Sequence, residues 1–200
     1  FPLDRSMWTG QLVAIGAASC RAILVDLPGF GASPLPAGAA PTLDTYAHAV
    51  LSTLDALGVT RAVFVGLSLG GYVALALAAI APERVRAVVL ADTRARDDDP
   101  TVRAGRIINL ALVRDRGATA LMGRMLPGLV APDCPEALRE RVRALGAAQT
   151  KEGVTFALVA MRDRPDRTHV AEALGVPALV LVGDHDTITP PAEMEALAAR

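Results

Sequence analysis

The sequence lacks the features that mark membrane-spanning, nucleic-acid-binding or disulfide-rich proteins. No apolar run reaches membrane-spanning length without a charged or turn-forming residue. The formal net charge of −1 gives no electrostatic basis for binding nucleic acid or an anionic membrane. The two cysteines, Cys20 and Cys134, lie far apart in a chain of 200 residues and show no metal-binding spacing, so they predict a reduced, cytoplasmic setting.

A cofactor motif is lacking as well. Gly29-x-Gly31 has neither the third glycine nor the following helix of a dinucleotide-binding loop, and no cofactor is expected. Apolar residues, in contrast, make up 52% of the chain, which predicts one globular domain with a large core. The chain starts at Phe1 without an initiator methionine or a signal-peptide pattern, and we expect it to be the middle part of a longer protein.

The most informative stretch places a serine between a predicted strand and a predicted helix. Residues 62–65 form a short apolar run with β-branched and aromatic side chains, typical of a strand buried on both faces. Residues 72–81 are good helix formers and are followed by a proline. Between them, Ser68 lies in the pattern Gly66-x-Ser68-x-Gly70, which predicts a tight turn that exposes a reactive hydroxyl.

Such a turn would hold Ser68 in a strained backbone conformation. We expect glycines at positions 66 and 70 to leave the room that it needs. The free N–H groups at the start of the helix point toward the same place, so the N–H of Leu69 is expected to stabilise an oxyanion. The alternative interpretation is that Ser68 only caps the helix.

Further apolar runs predict an α/β fold with a parallel sheet, because strands and helices alternate along the chain. Buried strands are predicted at residues 22–25, 85–91 and 177–182, and helices at residues 8–18 and 42–57.

From Thr93 to about Thr168 the pattern is helical only, which predicts a lid over the carboxyl ends of the strands. The alternative is that these helices simply flank the sheet. Helices are predicted at residues 101–116, 118–126, 136–145 and 153–164. The segment from Arg94 to Pro100 contains three consecutive aspartates and is expected to be a solvated loop rather than a metal site.

Two carboxylates follow the last predicted strand. Asp184 and Asp186 lie just after Gly183, at the same sheet edge as Ser68, because parallel strands end on one side. An acid in this position can orient and charge-stabilise an imidazole base.

Three motifs resemble the α/β-hydrolase fold, in its lid-bearing esterase, lactonase and haloperoxidase-like branch. They are Gly66-Leu67-Ser68-Leu69-Gly70-Gly71, Asp26-Leu27-Pro28-Gly29-Phe30-Gly31 and Gly183-Asp184-His185-Asp186 with Pro190. The resemblance implies a mostly parallel sheet, incomplete at both termini, flanked by helices. It also implies a first core part at residues 1–92, a helical lid at 93–168 and a second core part at 169–200.

The same resemblance implies roles for individual residues. Ser68 would be the nucleophile, and the N–H groups of Leu69 and Phe1 would form the oxyanion hole. Asp186 would be the acid of the triad, with Asp184 and Asp92 as alternatives. No metal site is implied.

A histidine base is not in its expected place, since none follows Asp186 before Arg200. His185 is adjacent to the acid and His169 precedes the last strand, so neither suits the role. We therefore expect a serine hydrolase that cleaves a small-molecule carboxylic ester or lactone through an acyl-enzyme, with these 200 residues inactive alone. A non-catalytic ligand-binding protein and a cofactor-free haloperoxidase or perhydrolase are the alternatives.

Overall fold

A parallel three-stranded sheet with the order β1-β2-β3 underlies the structure. The strands are β1 Ala62–Leu67, β2 Val85–Ala91 and β3 Ala178–Leu181. The computed structural model describes residues 1–199. Both strand pairs are parallel, so the carboxyl ends of the three strands lie at one edge of the sheet.

Helices make up most of the remaining regular structure. They are α1 Leu12–Ala17, α2 Leu43–Ala56, α3 Leu69–Ile80, α4 Pro100–Leu129, α5 Glu136–Ala147, α6 Lys151–Arg162, α7 Thr168–Glu172 and α8 Pro191–Ala198, with short 3-10 helices at Arg5–Gln11 and Pro82–Arg84. Among residues 1–199, none of the helices combines the length and apolarity needed to cross a bilayer.

The helix α3 packs on one face of the sheet and is the most deeply buried element. Its side chains from Tyr72 to Ala78 are buried, as the run of small and apolar residues predicts. Leu75 packs there with Val88 and Leu90 of β2. Burying each such side chain contributes about 1.5–3 kcal/mol to folding, so α3 is held firmly against the sheet next to the turn that contains Ser68.

The helical segment, defined as α4 to α6 at residues 100–162, forms a second core with α2 and α3. Buried side chains from both sides meet there, including Tyr46, Tyr72, Leu121, Leu158 and Met161. The two helices predicted at residues 101–116 and 118–126 are the two halves of α4, because Gly117 has a φ of 77° and bends it. Residues 93–177 contribute no strand, in agreement with the helical pattern.

Two predicted elements differ from the structure. Residues 22–25 form no strand, because no described strand lies beside them to complete a hydrogen-bond ladder. The helix predicted at residues 8–18 is divided into a 3-10 turn and α1, and its Leu12 side chain is exposed. Gly10 and Gly16 weaken helix formation in this segment.

The sheet face opposite α3 is uncovered in residues 1–199, so the prediction that β1 is buried on both faces is wrong for these residues. Val63 and Val65 of β1 are 51% and 53% exposed, and Leu179 and Leu181 of β3 are 51% and 46% exposed. The register aligns Val65 with Val89 and Val89 with Leu179, so these side chains form one continuous apolar face. A patch of this kind favours association.

This face generates a prediction for a polypeptide of these 200 residues. Replacing both Val65 and Leu179 with lysine should reduce self-association, measured by light scattering, because charge on an exposed sheet face opposes stacking. The thermal midpoint should change little. Val88→Lys is the matched control, because Val88 is buried on the opposite face and the charge should unfold the protein. Unchanged association of the double variant would contradict the prediction.

Candidate active site

The turn between β1 and α3 holds Ser68 in a strained conformation, with φ 52° and ψ −111°. The Ser68 N–H donates to the carbonyl of Ala91 at 2.8 Å. Its own carbonyl accepts from the Gly71 N–H at 2.9 Å and from the Thr93 hydroxyl at 2.8 Å. The end of β2 therefore fixes both backbone groups of Ser68, and the predicted tight turn is present.

Close packing explains two glycines of this turn. A Cβ atom at Gly66 would collide with the carbonyl group of Gly70. One at Gly71 would collide with the Thr93 side chain. A Cβ at Gly70 would meet nothing within 4 Å, so the expectation that Gly70 makes room is wrong. The steric demand lies at Gly71 instead, where α3 passes over Thr93.

The Ser68 hydroxyl does not cap α3, although Ser68 is the residue before that helix. The side chain is half-buried and makes no capping hydrogen bond, which argues against the alternative that Ser68 serves only as a cap. Leu69 is the first residue of α3, and the first N–H groups of a helix have no intrahelical acceptor. The turn thus combines a hydroxyl with the positive end of a helix dipole.

The second part of the site is the acid loop, defined as residues 183–190 between β3 and α8. In this loop, Asp186 accepts hydrogen bonds through Oδ1 from the N–H groups of Ile188 at 2.7 Å and Thr189 at 2.8 Å. The Asp186 N–H donates to the Gly183 carbonyl at 3.0 Å. These bonds stabilise the charged carboxylate and fix its direction. Asp184 is exposed in the same loop.

Asp92 lies between Ser68 and the acid loop. It follows β2 with φ 43°, and its Oδ1 accepts from the Gly183 N–H at 2.9 Å. The Asp92 N–H donates to the Leu181 carbonyl at 2.9 Å. Burial raises the pKa of Asp92, and contact with the Asp186 carboxyl adds to the rise. Two of the three predicted acid candidates, Asp92 and Asp186, are therefore neighbours.

Phe1 lies in the same core as Leu69. Its ring packs edge-on against Phe30, with ring centroids 6.0 Å apart, and contacts the buried cluster that includes Leu69. The residue whose N–H is assigned to the oxyanion hole therefore packs against the same core as Leu69.

The segment that follows Asp92 is only partly the solvated loop that its charges predict, because Arg96 and Asp97 are exposed but two other charged side chains are buried. Arg94 is buried and donates to Glu193 of α8 at 2.8 Å and to the carbonyl of Ile188. Asp98 is buried between the guanidinium groups of Arg106 and Arg164. Unpaired buried charge is costly, and the carboxylates of Glu193 and Asp98 are accordingly paired with arginines.

A base or a metal site is not evident around Ser68 and Asp186. In the described part of the chain, the hydrogen bonds of these two residues go to backbone groups, Thr93 and Asp92, with no imidazole among them. The histidines at positions 48, 169 and 185 are exposed. Residues 1–199 contain no group of three or more His, Cys, Asp or Glu side chains placed to hold a metal ion.

One cavity in the structure lies away from these residues. It has a volume of about 390 Å³ and lies between residues 29–35 and the start of α6, with Thr150 and Glu152 in its wall. Its lining includes none of the residues Ser68, Asp92 and Asp186. The turn at Ser68 is the candidate site, because chemistry requires a reactive group within reach of the substrate.

The two glycines on either side of Ser68 generate a prediction. Gly66→Ala should lower the free energy of unfolding by about 1–3 kcal/mol or more, because the new methyl group meets backbone that cannot move aside. Gly70→Ala, its matched control, should change it by less than about 1 kcal/mol, since the space is open and alanine favours the helix. Urea unfolding curves measure both. Equal losses in the two variants would show that the close approach is not what constrains the turn.

Comparison with known proteins identifies related chains. A family model described as alpha/beta hydrolase fold matches residues 1–200. The pimeloyl-[acyl-carrier protein] methyl ester esterase of Neisseria meningitidis serogroup A is 33% identical over 200 aligned positions, which cover 88% of this chain and 56% of that protein. The chain thus spans little more than half the length of that relative.

Two solved structures resemble the fold closely. A thermophilic esterase from Thermogutta terrifontis, solved with malate bound, has 38% sequence identity and a TM-score of 0.93, covering all of this chain and 74% of its own. The enol-lactonase from Burkholderia xenovorans LB400 has 32% identity and a TM-score of 0.86, covering 99% of this chain and 75% of its own.

Proposed function

The chain belongs to the α/β-hydrolase fold family, and from that premise we propose that it is the core of a serine hydrolase that cleaves a small carboxylic ester or lactone. The observation that carries the proposal is Ser68, held at a positive φ of 52° with a hydroxyl that does not cap the following helix. The esterase and enol-lactonase relatives support an ester or lactone as the substrate class.

In the proposed mechanism, Ser68 Oγ attacks the carbonyl carbon while its proton passes to an imidazole base. The resulting oxyanion accepts hydrogen bonds from the N–H groups of Leu69 and Phe1. Asp186 orients the base and stabilises its positive charge. The alcohol leaves with the proton from the base, and water, activated in the same way, then releases the acid from the acyl-enzyme. No metal or cofactor takes part in these steps.

The base itself is not among the residues around Ser68. We propose a histidine outside residues 1–200, since the solved relatives are longer than this chain. Asp186 Oδ1 is occupied by two backbone N–H groups, so Oδ2 is the atom that would accept from an imidazole. His185, next to the acid, is exposed on the acid loop and is not assigned this role.

We further propose that residues 93–168 form a lid between two core parts at 1–92 and 169–200. The helical segment supports this, because α4 and α6 pack on the core that contains Leu69. Partly buried apolar side chains reach the same core, namely Leu110, Met125 and Phe156. They would favour an apolar acyl group. The two unpaired cysteines support a reduced, cytoplasmic setting.

The test compares the full-length protein with the 200-residue polypeptide on an activated ester. The full-length protein should hydrolyse it, and Ser68→Ala should lower kcat/KM by at least about 1,000-fold. Ser52→Ala, on the exposed face of α2, is the matched control and should leave the rate unchanged. The 200-residue polypeptide should show no serine-dependent turnover.

The alternatives give different outcomes. A full-length protein that binds an ester but does not react with a fluorophosphonate probe would be a ligand-binding protein, and the proposal would be wrong. Peracid formation that exceeds ester hydrolysis would indicate a perhydrolase.

A further inference from the structure

We propose that Asp92 is a positioning residue whose carboxyl shares a proton with Asp186 and thereby fixes the acid loop. The inference rests on the proposed function, because it assigns Asp186 as the acid of the triad. It goes beyond the alternative in which Asp92 is itself that acid, since both carboxyls act together here.

The geometry places Asp92 at the junction of two strands and the loop. The Asp92 N–H is bound to the carbonyl of Leu181, and its Oδ1 accepts from the Gly183 N–H, so it holds both sides of the β3 exit. The Thr189 hydroxyl donates to the Asp92 carbonyl at 3.4 Å, which adds the far end of the loop. The positive φ of 43° is unusual for a residue with a side chain and turns the carboxyl toward the loop.

Two carboxyl groups in contact cannot both carry a charge without strong repulsion. The Asp186 carboxyl accepts hydrogen bonds from two backbone N–H groups, whereas the Asp92 carboxyl accepts one. A negative charge is therefore better stabilised on Asp186 than on Asp92. Burial raises the pKa of Asp92, and the nearby Asp186 raises it further. Asp92 is therefore the group that keeps the proton, and its O–H donates to the Asp186 carboxylate.

The other charged groups around the pair leave this assignment intact. Arg94, two residues after Asp92, is engaged by Glu193 and by the Ile188 carbonyl. Arg96 binds the second oxygen of Glu193. Asp184 and His185 lie on the acid loop and are exposed to solvent, which screens their charges.

The pH dependence of stability tests the pair without any need for activity. An acid whose pKa is higher in the folded state binds more protons when folded, so its contribution to stability is present at low pH. That contribution is lost as the pH rises from the unfolded pKa of about 3.9 through the folded pKa. An asparagine at position 92 keeps the acceptor for Gly183, offers an N–H to Asp186 and cannot ionise.

Asp92→Asn should therefore have a higher urea midpoint than the wild type. The gap between the two midpoints should widen as the pH rises from the unfolded to the folded pKa of Asp92. Asp97→Asn is the matched control, because Asp97 is an exposed aspartate of the same segment, and its gap should stay constant. A constant or narrowing gap for Asp92→Asn would overturn the proposal. Should that variant not fold, carbon-13 NMR of the wild type decides, since the Asp92 carboxyl must still carry its proton at a pH where a free aspartic acid is ionised.

Activity of the full-length protein separates positioning from catalysis. Asp92→Asn should retain ester turnover within about threefold, Asp92→Ala should lose at least tenfold, and Asp186→Asn should lose about 10,000-fold. Rescue by asparagine over alanine is what a hydrogen-bonding role predicts. A loss in Asp92→Asn as large as that in Asp186→Asn would make Asp92 the triad acid and overturn the proposal. An inactive wild type would contradict the proposed function, while the urea experiment would still judge the carboxyl pair.

Discussion

The backbone of Ser68 is held by the strand that lies next to its own. A positive φ in a residue with a side chain costs about 1–3 kcal/mol, and such a conformation persists only where the surroundings enforce it. Here the Ala91 carbonyl accepts from the Ser68 N–H, and the Thr93 hydroxyl donates to the Ser68 carbonyl. Each bond contributes about 0.5–1.5 kcal/mol, so together they offset most of the strain. The buried helix α3 then fixes the direction in which the chain leaves the turn.

The elements that could be predicted from the sequence are those whose signal is local. The run at residues 62–65 and the following glycine-rich turn identified β1 and Ser68, and β2 was predicted to the residue. Gly117 marked the bend of α4 because only a glycine adopts its φ at little cost. Local patterns carry this information because backbone conformation and side-chain periodicity are properties of neighbouring residues.

Features that depend on distant residues could not be predicted in this way. Asp98 belongs to a run of aspartates that reads as solvated, and its burial follows from Arg106 and Arg164, the latter 66 positions along the chain. The contact between Asp92 and Asp186 arises only once β2 and β3 are paired. The exposure of Val63 and Val65 likewise depends on what covers the sheet, whereas their apolar character predicts burial.

One short segment, residues 92–98, connects all parts of the site, because its successive residues contact different parts. Residues 92–98 leave β2 and meet, in turn, the acid loop through Asp92, the Ser68 carbonyl through Thr93 and α8 through Arg94. Asp98 then binds Arg164, whose guanidinium lies 4.1 Å from the ring centre of Tyr72 on α3. Residues 92–98 therefore contact three parts of the structure, namely the helical segment, the turn at Ser68 and the acid loop. Separating the buried Asp98 carboxylate from its arginines would be strongly destabilising. A displacement of residues 92–98 would therefore alter the positions of both Ser68 and Asp186.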